Sequence, residues 1–234
     1  GSVEVYAIQA EIALTDRLSI NAAKDGYVRF RPDETLSKED GWANISAGLK
    51  YAFVLDPVKQ LAVSGQLLYE VPTGNTDVFQ GTGDGAFIPS VNVLKLHDRW
   101  QFANQFGFNL PVDGDTGSSS FYNSFGVAYQ LTERIFPMFE VNWFSVIDGG
   151  DGNKRFNSQV GGAVPAIATF EGNDLFNFGA SHAEDNRNLV TFALGTRARV
   201  CDFADLGFGW EFPVTDSDTS VIDDRFYFDM VIRF

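Results

Sequence analysis

Histidine, cysteine and clustered carboxylates are the side chains with which this chain could carry out covalent or metal chemistry, and their spacing argues against both. His97 falls in a tight polar turn and His182 in a long connection, so neither shares a site with a serine nucleophile and a carboxylate. Cys201 is the single cysteine, which excludes a disulfide within the chain and, with only two histidines, argues against a His/Cys zinc centre. The loop acids are hard oxygen ligands. However, Asp113-Gly114-Asp115-Thr116-Gly117 lacks the ligand spacing and distal Glu of a calcium loop, and solvated loops are the better reading. Gly81-Thr82-Gly83-Asp84-Gly85 has no following Lys-Ser/Thr and is therefore no phosphate cradle. No enzyme activity, metal or cofactor is expected.

What remains is electrostatic. Glu11, Lys50, Gln66, Glu70, Gln105, Glu140, Asn142, Arg197, Arg199, Glu211, Tyr227, Asp229 and Arg233 sit in stretches where polar and apolar residues alternate. Period two places them on the face opposite the apolar rows. Both charge signs occur, so two arrangements are open. In one, these groups line a polar path whose transverse field selects solutes. In the other, Arg197, Arg199 and Arg233 pair with Glu211, Asp229 and Glu140 in a network that plugs and stiffens the interior.

The elements that position these residues are strands. Phe226, Phe228, Met230, Ile232 and Phe234 alternate with Arg225, Tyr227, Asp229, Val231 and Arg233, and residues 206–215 repeat the pattern. Residues 100–112 follow it with one lapse, Asn104. The same rule predicts strands over 6–14, 18–22, 43–55, 61–71, 87–93, 121–131, 135–147 and 190–200. Roughly eleven strands of about ten residues result, the length a tilted strand needs to cross a bilayer, whereas soluble strands average about five or six.

The connections alternate too, with short polar turns at 15–17, 56–60, 97–99, 132–134 and 201–205, and long Gly/Asp-rich loops at 25–41, 74–85, 113–119, 148–188 and 216–224. Pro72, Pro111 and Pro213 each stand where a strand enters a long loop, near the rim, where a missing ladder donor is tolerated. This is the asymmetry of an all-β, up-and-down antiparallel transmembrane β-barrel, one domain over 1–234, with short periplasmic turns and long external loops. A single-chain barrel normally has an even strand number, so one further strand is expected, before Gly1 or within the long loop, giving about twelve.

Composition agrees. Lys+Arg number 17 against 31 Asp+Glu, and the formal charge of -14 repels phosphate backbones, arguing against nucleic acid as a partner. No window approaches the ~18 consecutive apolar residues of a membrane helix. The faces opposite the Phe/Leu/Val rows carry mostly Ser, Asn, Gln, Gly, Ala and Tyr rather than the Lys and Glu of a solvated surface. Tyr51, Phe53, Tyr69, Trp100, Phe121, Trp143 and Phe234 lie near strand ends, as interfacial girdles require.

The last strand, through Phe228, Met230, Ile232 and Phe234, resembles the C-terminal signal read by the insertion machinery of bacterial outer-membrane barrels. Leu14-Thr15-Asp16-Arg17-Leu18-Ser19, Gly48-Leu49-Lys50-Tyr51, Pro72-Thr73-Gly74-Asn75, Gln80-Gly81 with Gly83 and Gly85, and Arg99-Trp100 together resemble the outer-membrane transporter family named after the meta-cleavage pathway of phenol degradation. The resemblance implies a bacterial outer-membrane location and porin-like transport. It carries over no catalytic residue and does not make phenol a ligand. The expected function is passive passage of small solutes through a narrow lumen, with outer-membrane lipid, lipopolysaccharide and the insertion machinery as partners. The alternative is a closed structural barrel whose acidic loops bind a surface partner.

Overall fold

The computed structural model describes residues 1–33, 36–78, 80–81, 83–114, 118–148, 155–157, 163–165, 188–215 and 223–234, and its turns show how the chain reverses. In Leu14-Thr15-Asp16-Arg17-Leu18 the Thr15 hydroxyl accepts from the amides of Arg17 at 3.2 Å and Leu18 at 3.0 Å. Leu131-Thr132-Glu133-Arg134-Ile135 repeats this, with Thr132 accepting from Arg134 at 3.2 Å and Ile135 at 3.0 Å. A hydroxyl that satisfies two amides bends the chain without glycine. The carbonyl of each turn arginine then accepts from the strand beyond, Arg17 from Ala52 and Arg134 from Arg199. Thr132→Ala should lower stability by about 1 kcal/mol. The urea midpoint of the protein folded in lipid vesicles reads this, and an unchanged midpoint would mean that the strands alone set the turn.

The strands are β1 (Ser2–Ala13), β2 (Leu18–Arg31), β3 (Glu39–Trp42), β4 (Ile45–Asp56), β5 (Leu61–Val71), β6 (Ala86–His97), β7 (Trp100–Pro111), β8 (Ser119–Tyr129), β9 (Ile135–Asp148), β10 (Arg155–Asn157), β11 (Ala163–Pro165), β12 (Asn188–Cys201), β13 (Ala204–Pro213) and β14 (Arg225–Ile232). Eleven of them form one antiparallel wall in the order β1-β2-β4-β5-β6-β7-β8-β9-β12-β13-β14, the meander of an up-and-down barrel. β3 pairs with the far half of β2. The stretch 25–41 is thus not an open loop: β2 continues to Arg31, and a register shift opposite Ile8 and Ala10 absorbs the break in its alternation. Among the described residues β10 and β11 pair only with each other. Most of 148–188, including His182, and most of 216–224 lie outside the described residues.

Because the wall strands are antiparallel and odd in number, β1 and β14 run in the same direction. Among the described residues no ladder joins them, and β1 is exposed along its whole length.

The two faces differ as the alternation requires. Outward stand Ile8, Leu49, Phe53, Leu194 and Phe228, all exposed. Inward stand Ser46, Ser64, Ser90, Ser120, Thr191 and Glu211, all buried. The lapse at Asn104 is repaired on the spot, since its Nδ2 donates to Asn123 Oδ1 at 2.9 Å and to the Ser124 carbonyl at 3.1 Å. Aromatics gather at both strand ends. Near the loop end, Phe121 lies 5.4 Å from Phe108 and 5.2 Å from Trp143. Near the turn end, Trp100 lies 4.7 Å from Tyr129, and Tyr51 lies 5.4 Å from Phe53.

Candidate functional site

Register on the last three strands builds a charged sector of the inner face. Ala193, Glu211 and Arg225 stand side by side on β12, β13 and β14. The side chain of Glu211, 2% exposed as a residue, is surrounded by donors. It accepts from Asn142 Nδ2 at 3.2 Å, from Arg225 Nε at 2.9 Å and Nη2 at 2.5 Å, and from the hydroxyls of Thr191 and Tyr227. The Arg225 guanidinium also lies over the Tyr227 ring, 4.6 Å from its centroid.

Two inward positions towards the turn end, Arg197 Nη2 donates to both oxygens of Asp229, at 2.8 and 3.1 Å. The pair reaches from β12 to β14 across Gly207 of β13, where any Cβ would collide with the Asp229 carboxylate. Glycine at 207 lets the bridge lie there, since a Cβ would displace the Asp229 carboxylate. At the turn end itself, buried Asp205 accepts from Arg233 Nη2 at 2.5 Å, with Arg199 Nε 3.8 Å from its other oxygen.

The first strands carry neutralised pairs. Lys50 Nζ donates to Glu11 at 3.0 and 3.1 Å, and the Ser19 hydroxyl donates to the same carboxylate at 2.7 Å. Asn21 Nδ2 donates to Gln66 at 2.9 Å. Towards the loop end Asn44 acts as a clasp, donating to Glu70 at 2.9 Å while its Oδ1 accepts from the amides of Gly74 at 3.1 Å and Gly81 at 2.8 Å. In β3, outside the main wall, the Arg31 guanidinium bonded to Asp40 at 2.6 and 2.8 Å holds that carboxyl below the ordinary carboxylate range.

The structure therefore brings Asn142, Glu211 and Tyr227 together, joins Arg197 to Asp229 and Glu11 to Lys50, and leaves Gln105 apart on β7, opposite Asn92 and Ser124 in register. It corrects the pairing expected from sequence. Arg199 and Arg233 meet Asp205 rather than Glu211 or Glu140, and the cation on Glu211 is Arg225. Asp205 and Arg225 are not among the residues that the sequence marks as lining the interior, yet strand parity carries the signal: 205 shares a face with 211, and 225 with 227 and 229. His97 is exposed with Nε2 3.8 Å from Asp98, and Cys201 is a half-buried free thiol. Among the described residues no cluster of three or more His, Cys, Asp or Glu is placed to hold a metal.

Residues 5–200 match the model of the family described as "Putative MetA-pathway of phenol degradation". The chain belongs to this family. The family match runs from β1 almost to the end of β12, so Asp205, Glu211, Arg225 and Arg233 lie beyond it. Two of the strings that carry the family resemblance, Pro72-Thr73-Gly74-Asn75 and Gln80-Gly81, fold into the Asn44 clasp, and a third, Leu14 with Thr15, Asp16, Arg17 and Leu18, is a threonine turn. No curated protein matches the chain. Among solved structures, a NanC porin superposes with a TM-score of 0.59 at 7% identity, covering 97% of this chain and 91% of the other. The COG4313 outer membrane channel from Pseudomonas putida F1 superposes with a TM-score of 0.58 at 13% identity, covering 95% and 79%. At these identities the likeness is one of fold.

Proposed function

We propose that this protein is a bacterial outer-membrane channel through which small solutes pass passively along a polar interior, and not an enzyme. The observation that carries the reading is the inversion of its faces: exposed Phe, Leu, Ile and Trp outside, buried Ser, Asn, Thr and Glu inside. In lipid, every inward polar group can be hydrated or paired while the outward rows meet acyl chains. Membership of the family and the porin-like fold support the same reading. Phe228, Met230 and Ile232 on the outward face of β14, with Phe234 after it, serve as the insertion signal, and outer-membrane lipid and lipopolysaccharide surround the wall. Among the described residues no ladder joins the parallel edges β1 and β14, and one more antiparallel strand between them would give the even count usual in bacterial single-chain barrels.

The closed-lumen alternative draws on the Glu211 and Asp229 ion pairs. These pairs lie along β12 to β14, however, and β7 and β8, which carry no charged side chain, hold no bridging pair. Single-channel recording of the full-length mature protein in planar bilayers tests the proposal. Steady current steps are expected, and a folded, inserted but silent barrel would overturn it in favour of the structural role.

A further inference from the structure

We propose that the turn end of the inner face is a binding site for a small monovalent carboxylate, formed by Arg199 and Arg233; the inference rests on the channel reading above. Asp205 is 6% exposed at its side chain, while Arg199 and Arg233 are 50% and 54% exposed. Two guanidinium charges against one carboxylate leave one positive charge unmatched. Arg233 spends one nitrogen on Asp205 at 2.5 Å. Arg199 stands 3.8 Å away, too far for a hydrogen bond, and among the described residues its guanidinium makes none. It is held instead by the ring of Phe136, 5.7 Å from guanidinium carbon to centroid. A planar fork resting against a ring, with its N–H groups unspent and on the inner face, matches the two oxygens of a carboxylate.

The rest of the interior does not compete for that role. Lys50 is neutralised by Glu11, Arg197 by Asp229, and Arg225 by Glu211. The excess charge elsewhere is negative. Glu140, opposite Ala193 in register, receives no hydrogen bond among the described residues and lies about 20 Å along β12 from Arg199. An anion is thus repelled at mid-wall and held at the turn end, where one charge balances one charge and the Phe136 ring takes the apolar body of the solute. Inorganic phosphate shares the oxyanion chemistry but carries more charge than the site can match.

Calorimetric titration of the folded full-length protein in detergent with benzoate, acetate and inorganic phosphate tests this. Benzoate should bind at one site per chain, more tightly than acetate or phosphate. Arg199→Gln and Arg233→Gln should each weaken it about tenfold or more. Asp205→Asn, which raises the site from one unmatched positive charge to two, should tighten it, whereas a merely structural cluster would lose binding in all three variants. If Arg199→Gln does not fold, Arg199→Lys, which keeps the charge and loses the fork, carries the same expectation. The site is overturned if benzoate does not bind, if phosphate binds as well, or if Asp205→Asn folds and binds more weakly. Titration needs no current, so a silent barrel would sink the channel reading and leave the site standing.

Discussion

Glu211→Ala is expected to cost the fold about 3 kcal/mol, as removal of one partner from a buried ion pair does. The carboxylate accepts from four residues on three other strands, Asn142 of β9, Thr191 of β12, and Arg225 and Tyr227 of β14. Truncation removes the carboxylate on which Arg225 and Tyr227 converge and leaves several donors without that acceptor. The double change Glu211→Ala with Arg225→Ala should recover part of the loss, because the cation that faced the removed carboxylate goes too. Urea unfolding of vesicle-inserted protein measures both. A single variant within about 0.5 kcal/mol of the parent would show that water in the interior already satisfies these groups.

Leu194→Arg should cost about 2–4 kcal/mol in lipid vesicles, the penalty of a cation facing mid-bilayer acyl chains. Leu194 is exposed on the outward face in the middle of β12, flanked in register by Phe139 and Trp210. The control is Val58→Arg in the β4–β5 turn, 92% exposed, where the change should fall within about 0.5 kcal/mol. Equal costs at the two positions would mean that the outward face does not meet lipid, and a soluble sheet would become the better account.

The wall was legible because alternation is a direct imprint of a two-faced sheet. Phe226 to Phe234 and Leu206 to Val214 announce β14 and β13 with no competing period. The far half of β2 was hidden because Lys24-Asp25-Gly26 interrupts the alternation just where the register shifts, and β3 because Glu39-Asp40-Gly41-Trp42 has no apolar row of its own. The interior was legible as a set of residues and illegible as a set of pairs. Which acid meets which arginine depends on stagger between strands: Arg197 reaches over Gly207 to Asp229, and Arg233 leans diagonally to Asp205, offsets that period two does not encode. Asp205 is hidden among turn residues because its polarity matches Asp202 just before it.

The sheet order that follows chain order also governs how such a wall can be assembled. Each threonine or short polar turn closes a hairpin over a few residues, an entropic step that is small and local. Pairing can therefore proceed by zippering neighbour to neighbour, with the long segment between β9 and β12 adding only a modest further closure cost, since that cost grows as the logarithm of loop length. Closure between the β1 and β14 edges is different, for these are the two ends of the wall and among the described residues no turn brings them together. Closure there is accordingly the slow, last event of folding, and until it happens the two bare edges are the places where a neighbouring chain can intrude.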